Sequence, residues 1–327
     1  MEGSRSLRER CSRGHAVIYG SEMRQSKSVA FEIRSRIAEM LRCRMSGQIN
    51  QMLKHFAPNT VVHCASSREG LLPPGIWEGA DGLRAMTRRT DENYQPLEHE
   101  ILDILVDGQN AVVRWRGAWR HHATGKICMI DAAHFLRWQN GLVVEMHEFF
   151  QPTSKSLPQC NKLSSYENLL TQKSPGLDRD EIERRARQLV AFPSNGPEID
   201  VILDFCSPDI ICDFVGNPAR IPYAGQYVGI DALINIVRAV AVDFEQSQCE
   251  ISEILVEEGR VAGRRKVEWR HRGTGRRGSV DLANFVRFED GMIVELVEFR
   301  DSVTLLEMRG EAEIGVGAHN VRSRSRT

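Results

Sequence analysis

Shifting the chain by 150 positions lays residues 100–152 over 250–302 without a gap. Twenty of the superposed positions are identical, among them Glu100, Trp119, His121, Asp131, Phe135, Gly141, Glu148 and Phe149. Unrelated segments of that length would share roughly three or four at average residue usage. The offset continues upstream through Pro58/Pro208, Gly75/Gly225, Gly79/Gly229, Asp81/Asp231 and Leu83/Leu233, so the repeating unit is a whole domain. Solenoid units run only about 20–50 residues, whereas a unit this long must bury a core of its own. The expected organisation is two tandem domains, 29–152 and 181–305, with a linker over 153–180 where Pro, Ser, Lys and Gln accumulate. Residues 1–28 read as a disordered leader, with Met23 as an alternative start, and 306–327 as a disordered basic tail ending RSRSRT.

Composition excludes more than it selects. Lysine and arginine number 43 against 44 acidic residues, a formal net charge of −1, which gives no general pull toward nucleic acid or membrane. The 8 cysteines show no CxxC pair and no metal-ligand spacing, and they are too sparse for a disulfide scaffold. A reduced, cytoplasmic protein without a bound metal or cofactor is expected. No apolar run reaches the length of a membrane span, and no phosphate-binding glycine loop, HExxH or GxSxG motif occurs. The basic stretches GRRK (263–266) and HRGTGRRG (271–278) leave nucleic-acid contact as a third alternative beside solvated hairpin tips.

Within each copy the periodicity reads helix, helix, short strand, helix and four strands, an α+β domain with a curved antiparallel sheet wrapped around its helices. Phe31, Ile33, Ile37, Met40 and Leu41 form one helical stripe, matched by Ile182, Ala186, Leu189 and Val190. Ile49, Met52, Leu53 and Phe56 mark a second short helix, and Asp81 and Asp231 read as helix caps. Asn140-Gly141 and Asp290-Gly291 are strong hairpin turns.

Strand alternation puts Ala132, His134, Leu136 and Trp138 on one face, and Leu282, Asn284, Val286 and Phe288 on its counterpart. A two-residue turn without irregularity pairs His134 with His147, Leu136 with Glu145 and Trp138 with Val143, gathering two histidines and a glutamate in one pocket. A one-residue bulge reverses that assignment. The matching set in copy two is Asn284, Glu295, Val297, Phe299 and Asp301. On the other face lie Asp131, Ala133, Phe135 and Arg137, repeated at 281–287 with Glu148/Glu298 alongside, the expected packing surface of an intramolecular pseudo-dimer. Asp281 opposite Arg300 reads as a cross-strand ion pair. Trp77, Trp115, Trp119, Tyr227 and Trp269 are candidate pocket aromatics, and His121 and His271 candidate rim residues.

The order of elements, the phrases FAPNTVVH and CSPDIICDF, and the F-x-R-aromatic-x-x-G-x-[IV]-x-E ending resemble the nuclear transport factor 2-like superfamily. Within it they are similar to SnoaL-like polyketide cyclases and ketosteroid isomerases. The resemblance implies a cone-shaped domain with an apolar interior for a small hydrophobic carbonyl compound of polyketide or steroid type. It also implies isomerase, cyclase or dehydratase chemistry without a cofactor. His134 and Asn284 match the position of an oxyanion-hole acid in ketosteroid isomerases. The general base falls on Asp213 after a one-residue gap, and His63 stands beside the matching position in copy one. Neither first helix carries the tyrosine that completes the isomerase oxyanion hole. Because the superfamily also contains non-catalytic domains, a binding or assembly protein is the alternative expectation.

Overall fold

A computed structural model describes residues 27–65, 75–153, 174–192, 199–219, 221 and 223–311, and all structural statements concern these. Residues 1–26 of the expected leader, most of the linker and the RSRSRT tail lie outside them, while residues 27 and 28 open the first helix. The first domain contains α1 (27–45), α2 (Ile49–Met52), a 3-10 turn (Leu53–His55), β1 (Phe56–Cys64), β2 (Gly75–Glu78), α3 (Gly79–Asn93), β3 (Tyr94–Asp107), β4 (Asn110–His121), β5 (Ile127–Gln139) and β6 (Leu142–Thr153). The second repeats the order with α4 (Arg179–Ala191), α5 (Ile199–Leu203), β7 (Cys206–Phe214), β8 (Gly225–Val228), α6 (Ile230–Asp243), β9 (Phe244–Glu257), β10 (Arg260–His271), β11 (Arg277–Glu289) and β12 (Met292–Arg300). It then adds α7 (Ser302–Arg309), a helix partly within the segment expected to be tail. Strands β2 and β8, only four residues each, have no periodicity to betray them.

Each copy forms a six-stranded sheet, β2-β1-β6-β5-β4-β3 and β8-β7-β12-β11-β10-β9. The pairs are antiparallel except where β1 runs parallel to β6 and β7 to β12. The helical stripe of α1 packs inside through Ile33, Ile37, Met40 and Leu41, while Phe31 is 72% exposed and does not belong to it. Phe56 opens β1 instead of closing α2. Asp81 and Asp231 lie in the first turns of α3 and α6, whose N-caps are Glu78 and Gly229. They act there on the helix dipole rather than as caps. The capping carboxylates are Asp178, which accepts from the Glu181 amide, and Asp301, which accepts from the amides of Val303 and Thr304.

The hairpin turns form as expected. Asn140 (φ 51) with Gly141 (φ 75), and Asp290 (φ 48) with Gly291 (φ 84), have the two positive φ angles of a type I′ turn. Trp138 then pairs with Val143, but Arg137 pairs with Glu145, so Val144 is an extra residue and the strand bulges. Copy two repeats the bulge at Val294. Beyond it the parity of the strand reverses: His134 faces Glu148 instead of His147, and Asn284 faces Glu298. Glu148 and Glu298 are thus inside, while Glu145, His147, Glu295, Val297 and Phe299 turn to the opposite face. Arg300 also points inward, bonded to Glu298, and Asp281 pairs with Lys266 at 3.9 Å instead.

The outer faces of the two sheets pack on each other through Val112, Ala133, Phe135 and Phe149 from one domain and Ala262, Ala283, Phe285, Val297 and Phe299 from the other. Phe135 meets Phe285 at 6.1 Å between ring centres. Polar contacts repeat under the same exchange of copies: the Val106 amide donates to Glu257 and the Val256 amide to Asp107, both at 3.1 Å. Arg114 approaches Glu295 at 3.9 Å. The interface is isologous, as in a symmetric dimer. Truncating either ring should cost roughly 3–5 kcal/mol. In urea unfolding we expect Phe135→Ala and Phe285→Ala each to lower stability by that amount, and the double variant to lose less than the sum.

Candidate functional site

Two inward carboxylates, one per domain, organise the two interiors. In domain 1 Glu148 is 4% exposed and His134 5% exposed, and they line a cavity of about 40 Å³ with Met40, Arg44, Thr87, Trp119 and Phe150. The Trp115 indole donates to His134 Nε2 at 3.1 Å. An indole N–H can only donate, so Nε2 accepts and the imidazole proton resides on Nδ1. Glu148 Oε1 lies 3.5 Å from the same Nε2, and Cys64 Sγ donates to Oε2 at 3.1 Å. Burial pushes the Glu148 carboxyl up to about 7, with the Cys64 hydrogen bond and the Arg44 charge pulling it down. Burial also drives the His134 imidazole down to about 3, keeping it neutral.

Arg44, from the last turn of α1, donates through Nη2 to Asp91 at 2.9 Å and stacks its guanidinium 5.0 Å from the Trp119 ring centre. Its Nη1 has no partner among the described residues, and neither do Thr87 Oγ1, Trp119 Nε1 or His134 Nδ1. All four are buried atoms of side chains lining the one cavity. Gly117 stands between the two tryptophans because a Cβ there would come within 2.7 Å of Trp115 and 3.2 Å of Trp119.

Domain 2 keeps the carboxylate and changes three of the residues around it. Arg265 replaces Trp115, Asn284 replaces His134 and Arg300 replaces Phe150. Arg265 donates to Asn284 Oδ1 (3.0 Å) and Glu298 Oε2 (2.9 Å), Asn284 Nδ2 donates to the same oxygen (2.8 Å), and Arg300 to Oε1 (2.5 Å). Burial alone would raise the Glu298 pKa, but the charges of Arg300 and Arg265, with the hydrogen bonds, hold it at about 2. Trp269 Nε1 donates to Gln246 at 3.0 Å. The remaining cavity is about 80 Å³, and none of its lining side chains carries an unpartnered buried polar atom.

Of the residues expected in the pockets, His134, Trp115, Trp119 and Trp269 line them, and Asn284 bonds to two groups that do. The others lie elsewhere. His63 and His147 are stacked 4.3 Å apart on the opposite face of the sheet because they pair directly across β1 and β6. His147 Nε2 meets Glu145 at 3.0 Å, and Glu145 is also bound by Arg137 at 2.7 Å. Burial, with the Arg264 charge, lowers His147 to about 4. Asp213 pairs with Val297 on the outer side of β7. Glu295 binds Arg287, Asp301 caps α7, and Tyr227 Oη donates to the Ala224 carbonyl. Trp77, on β2, lies beneath the Arg89 guanidinium. His121 and His271 brace their turns through Thr124 and Thr274, each at 3.0 Å. Arg265 of the basic GRRK stretch is internal, and Arg276 binds the Glu307 carbonyl at the end of α7.

Glu148, Arg44, Cys64 and Thr87 are the functional candidates the sequence did not reveal. The identity of Glu148 and Glu298 between copies was the available signal, assigned to the wrong face for want of the bulge. A larger concavity of about 890 Å³ lies between α1, α4 and the β3–β4 and β9–β10 turns. Its charged walls are engaged across the interface, as Arg34–Glu257, Arg179–Asp107 and Arg260–Asp103 pairs.

A SnoaL-like domain model matches residues 37–146 and again 186–296. No curated protein matches the chain. Similar solved structures include a nuclear transport factor 2-like protein of Burkholderia xenovorans LB400, 20% identical, covering 41% of this chain and 98% of its own, with a TM-score of 0.36. A second, from Burkholderia thailandensis E264, is 17% identical over 42% of this chain and 98% of its own, with a TM-score of 0.35. A candidate isomerase of Rhodopseudomonas palustris is 18% identical over 43% of this chain and 99% of its own, also at 0.35. No helix among the described residues is long and apolar enough to cross a membrane.

Glu148 and His134 impose opposite pH dependences. Between 4.5 and about 7 the folded chain keeps a carboxyl proton that the unfolded chain has released, so this contribution falls as pH rises. Between about 3 and 6.5 the folded chain lacks an imidazole proton that the unfolded chain holds, so this one rises with pH. We expect thermal midpoints of Glu148→Gln to climb with pH through the shared window and those of His134→Asn to fall, with the wild type flatter than either.

Proposed function

The chain belongs to the SnoaL-like domain family, with one such domain in each half, and on that footing we propose that domain 1 is an acid/base catalyst moving a proton at the carbon beside a carbonyl. The observation that carries this reading is Glu148, a buried carboxyl brought to about 7 in the wall of a cavity where four buried polar atoms lack internal partners. A group with its pKa near the working pH both takes and gives a proton readily, a contribution of roughly 10²–10⁴-fold. Glu148 removes the proton as a carboxylate and returns it as an acid. The charge that gathers on the carbonyl oxygen meets His134 Nδ1–H, a neutral imidazole donor, and the Trp119 indole N–H.

The cavity size favours a substrate much smaller than a polyketide or steroid. A single water needs roughly 10–15 Å³, and this cavity offers about 40 Å³. Isomerisation or dehydration of a compound of a few heavy atoms is the form of the reading that fits. Domain 2 is the structural half: Glu298, held at about 2 by two arginines, stays ionised and has no proton to give. Pairing of the domains through their outer faces leaves both interiors open to this division of labour.

Deuterium exchange into a panel of small enolisable carbonyl compounds, followed by proton NMR, tests the proposal. The wild type should accelerate exchange, Glu148→Gln should reduce it by about 100-fold or more, and Asp213→Asn and Tyr227→Phe should match the wild type. Exchange that survives Glu148→Gln and disappears with Asp213→Asn would transfer the base to domain 2.

A further inference from the structure

The four unpartnered atoms of the domain 1 cavity share a chemical character. Arg44 Nη1 and Trp119 Nε1 are donors only, and His134 Nδ1 is a donor because its Nε2 already accepts from Trp115. Thr87 Oγ1 can donate or accept. Glu148, when protonated, adds another donor. Acceptors are scarce: Glu148 Oε2 accepts from Cys64, and Oε1 lies 3.5 Å from His134 Nε2. A hydrocarbon, amine or alcohol entering here would leave most of the donors buried and unpaired, which is the costly outcome in a dry site. A ligand with several acceptor oxygens satisfies them together.

Charge sharpens the choice. Arg44 is 12% exposed at its side chain and shares its outer nitrogen with Asp91, while Nη1 remains uncommitted. Burial lowers the Arg44 pKa, with Asp91 and Glu148 acting to raise it, so a further anion is welcome beside it. The rest of the wall, Met40, Leu41, Met52, Phe56 and Phe150, is apolar and suits a short hydrocarbon portion. Domain 2 offers the contrast within one chain: its two inward arginines already hold a carboxylate, Glu298, in bonds of 2.9 and 2.5 Å. Domain 1 has tryptophan and phenylalanine where those two arginines stand, and its own arginine, Arg44, keeps Nη1 without a carboxylate.

We infer that the domain 1 cavity binds a small carboxylate, its oxygens held by Arg44 with Trp119 or His134, so that the substrate is a short carbonyl-bearing acid. This rests on the proposed proton transfer for the word substrate, whereas binding stands apart from it. Titrating the full chain with acetate, propionate and butyrate, and with acetamide, propionamide and butyramide as neutral counterparts, tests it by calorimetry and tryptophan fluorescence. One carboxylate per chain should bind at least tenfold more tightly than its amide. Arg44→Met should weaken it tenfold or more, Arg44→Lys should recover part of the loss, and Arg265→Met in domain 2 should leave it unchanged. Because Arg44→Met removes a stacked, buried side chain, Trp119→Phe is the second probe: it keeps the ring, deletes the donor and should weaken binding several-fold. Binding should also draw a proton onto Glu148 near neutral pH, seen as a buffer-dependent heat that Glu148→Gln abolishes while affinity survives.

Equal affinity for acid and amide, or binding indifferent to both Arg44→Met and Trp119→Phe, overturns the inference. Carboxylate binding without deuterium exchange would instead overturn the proposed chemistry and leave the ligand class standing. Exchange in neutral ketones with no preference for acids would do the reverse.

Discussion

One unpaired residue beyond each hairpin turn, Val144 in the first domain and Val294 in the second, governs what the interior of each cone contains. Side chains alternate strictly along a strand, so an extra residue exchanges the two faces for everything downstream. Upstream, Val143 and Ile293 pack inside; downstream, Met146, Glu148 and Phe150, and Leu296, Glu298 and Arg300, do so. The same shift sends Phe149 and Phe299 outward into the core that joins the domains. Interior chemistry and domain pairing therefore depend on one local irregularity. Its repetition at the same place in both copies makes it part of the domain's design.

Much of the fold was legible because it rests on periods and turn residues. The 150-residue repeat, the helical stripe from Ile33 to Leu41, the alternation of Ala132, His134, Leu136 and Trp138 and the positive-φ demands of Asn-Gly and Asp-Gly all read directly from residue order. The outer face of Ala133 and Phe135 was legible as an interface for the same reason. The site was less so. A bulge leaves no residue signature in VVEMHEFF, so Glu148 and His147 exchanged places, and with them the whole expected constellation of His63, His147 and Glu145. Arg44 and Cys64 enter the cavity from α1 and β1, and nothing in their own neighbourhoods marks them. Only the fold brings them to Glu148.

The two glutamates separate cleanly the two effects that set a buried carboxyl's charge. Both are almost wholly removed from water, and burial by itself favours the neutral acid in each. Around Glu298 two guanidinium groups reverse the outcome and fix a carboxylate; around Glu148 tryptophan, phenylalanine and a neutral imidazole do not, and the carboxyl rises to about 7. Three replacements, at 115/265, 134/284 and 150/300, account for the change of partners. One backbone thus supports a rigid ionic network and a titratable acid, and the choice lies in the side chains opposite the carboxyl. In a network of the Glu298 kind, removing a charged member leaves a buried charge less compensated, and removing Asn284 leaves its hydrogen-bond partners short of a bond.

An unpaired buried polar atom costs about 1–3 kcal/mol, and domain 1 carries four around a single cavity. Domain 2 avoids that cost at three of these positions: Val237 stands for Thr87, Trp269 for Trp119 with its indole on Gln246, and Asn284 for His134 with bonds to Arg265 and Glu298. The deficit belongs to the particular residues of domain 1. Local rules broken at one spot, on a backbone that keeps them elsewhere, are characteristic of positions shaped for a ligand. The shared core of Phe135, Phe149, Phe285 and Phe299 is what lets the chain carry it. A domain with an under-satisfied cavity is buttressed through this core by a copy of itself whose cavity-lining polar atoms are partnered. In that arrangement the second domain supports the first through the core they share.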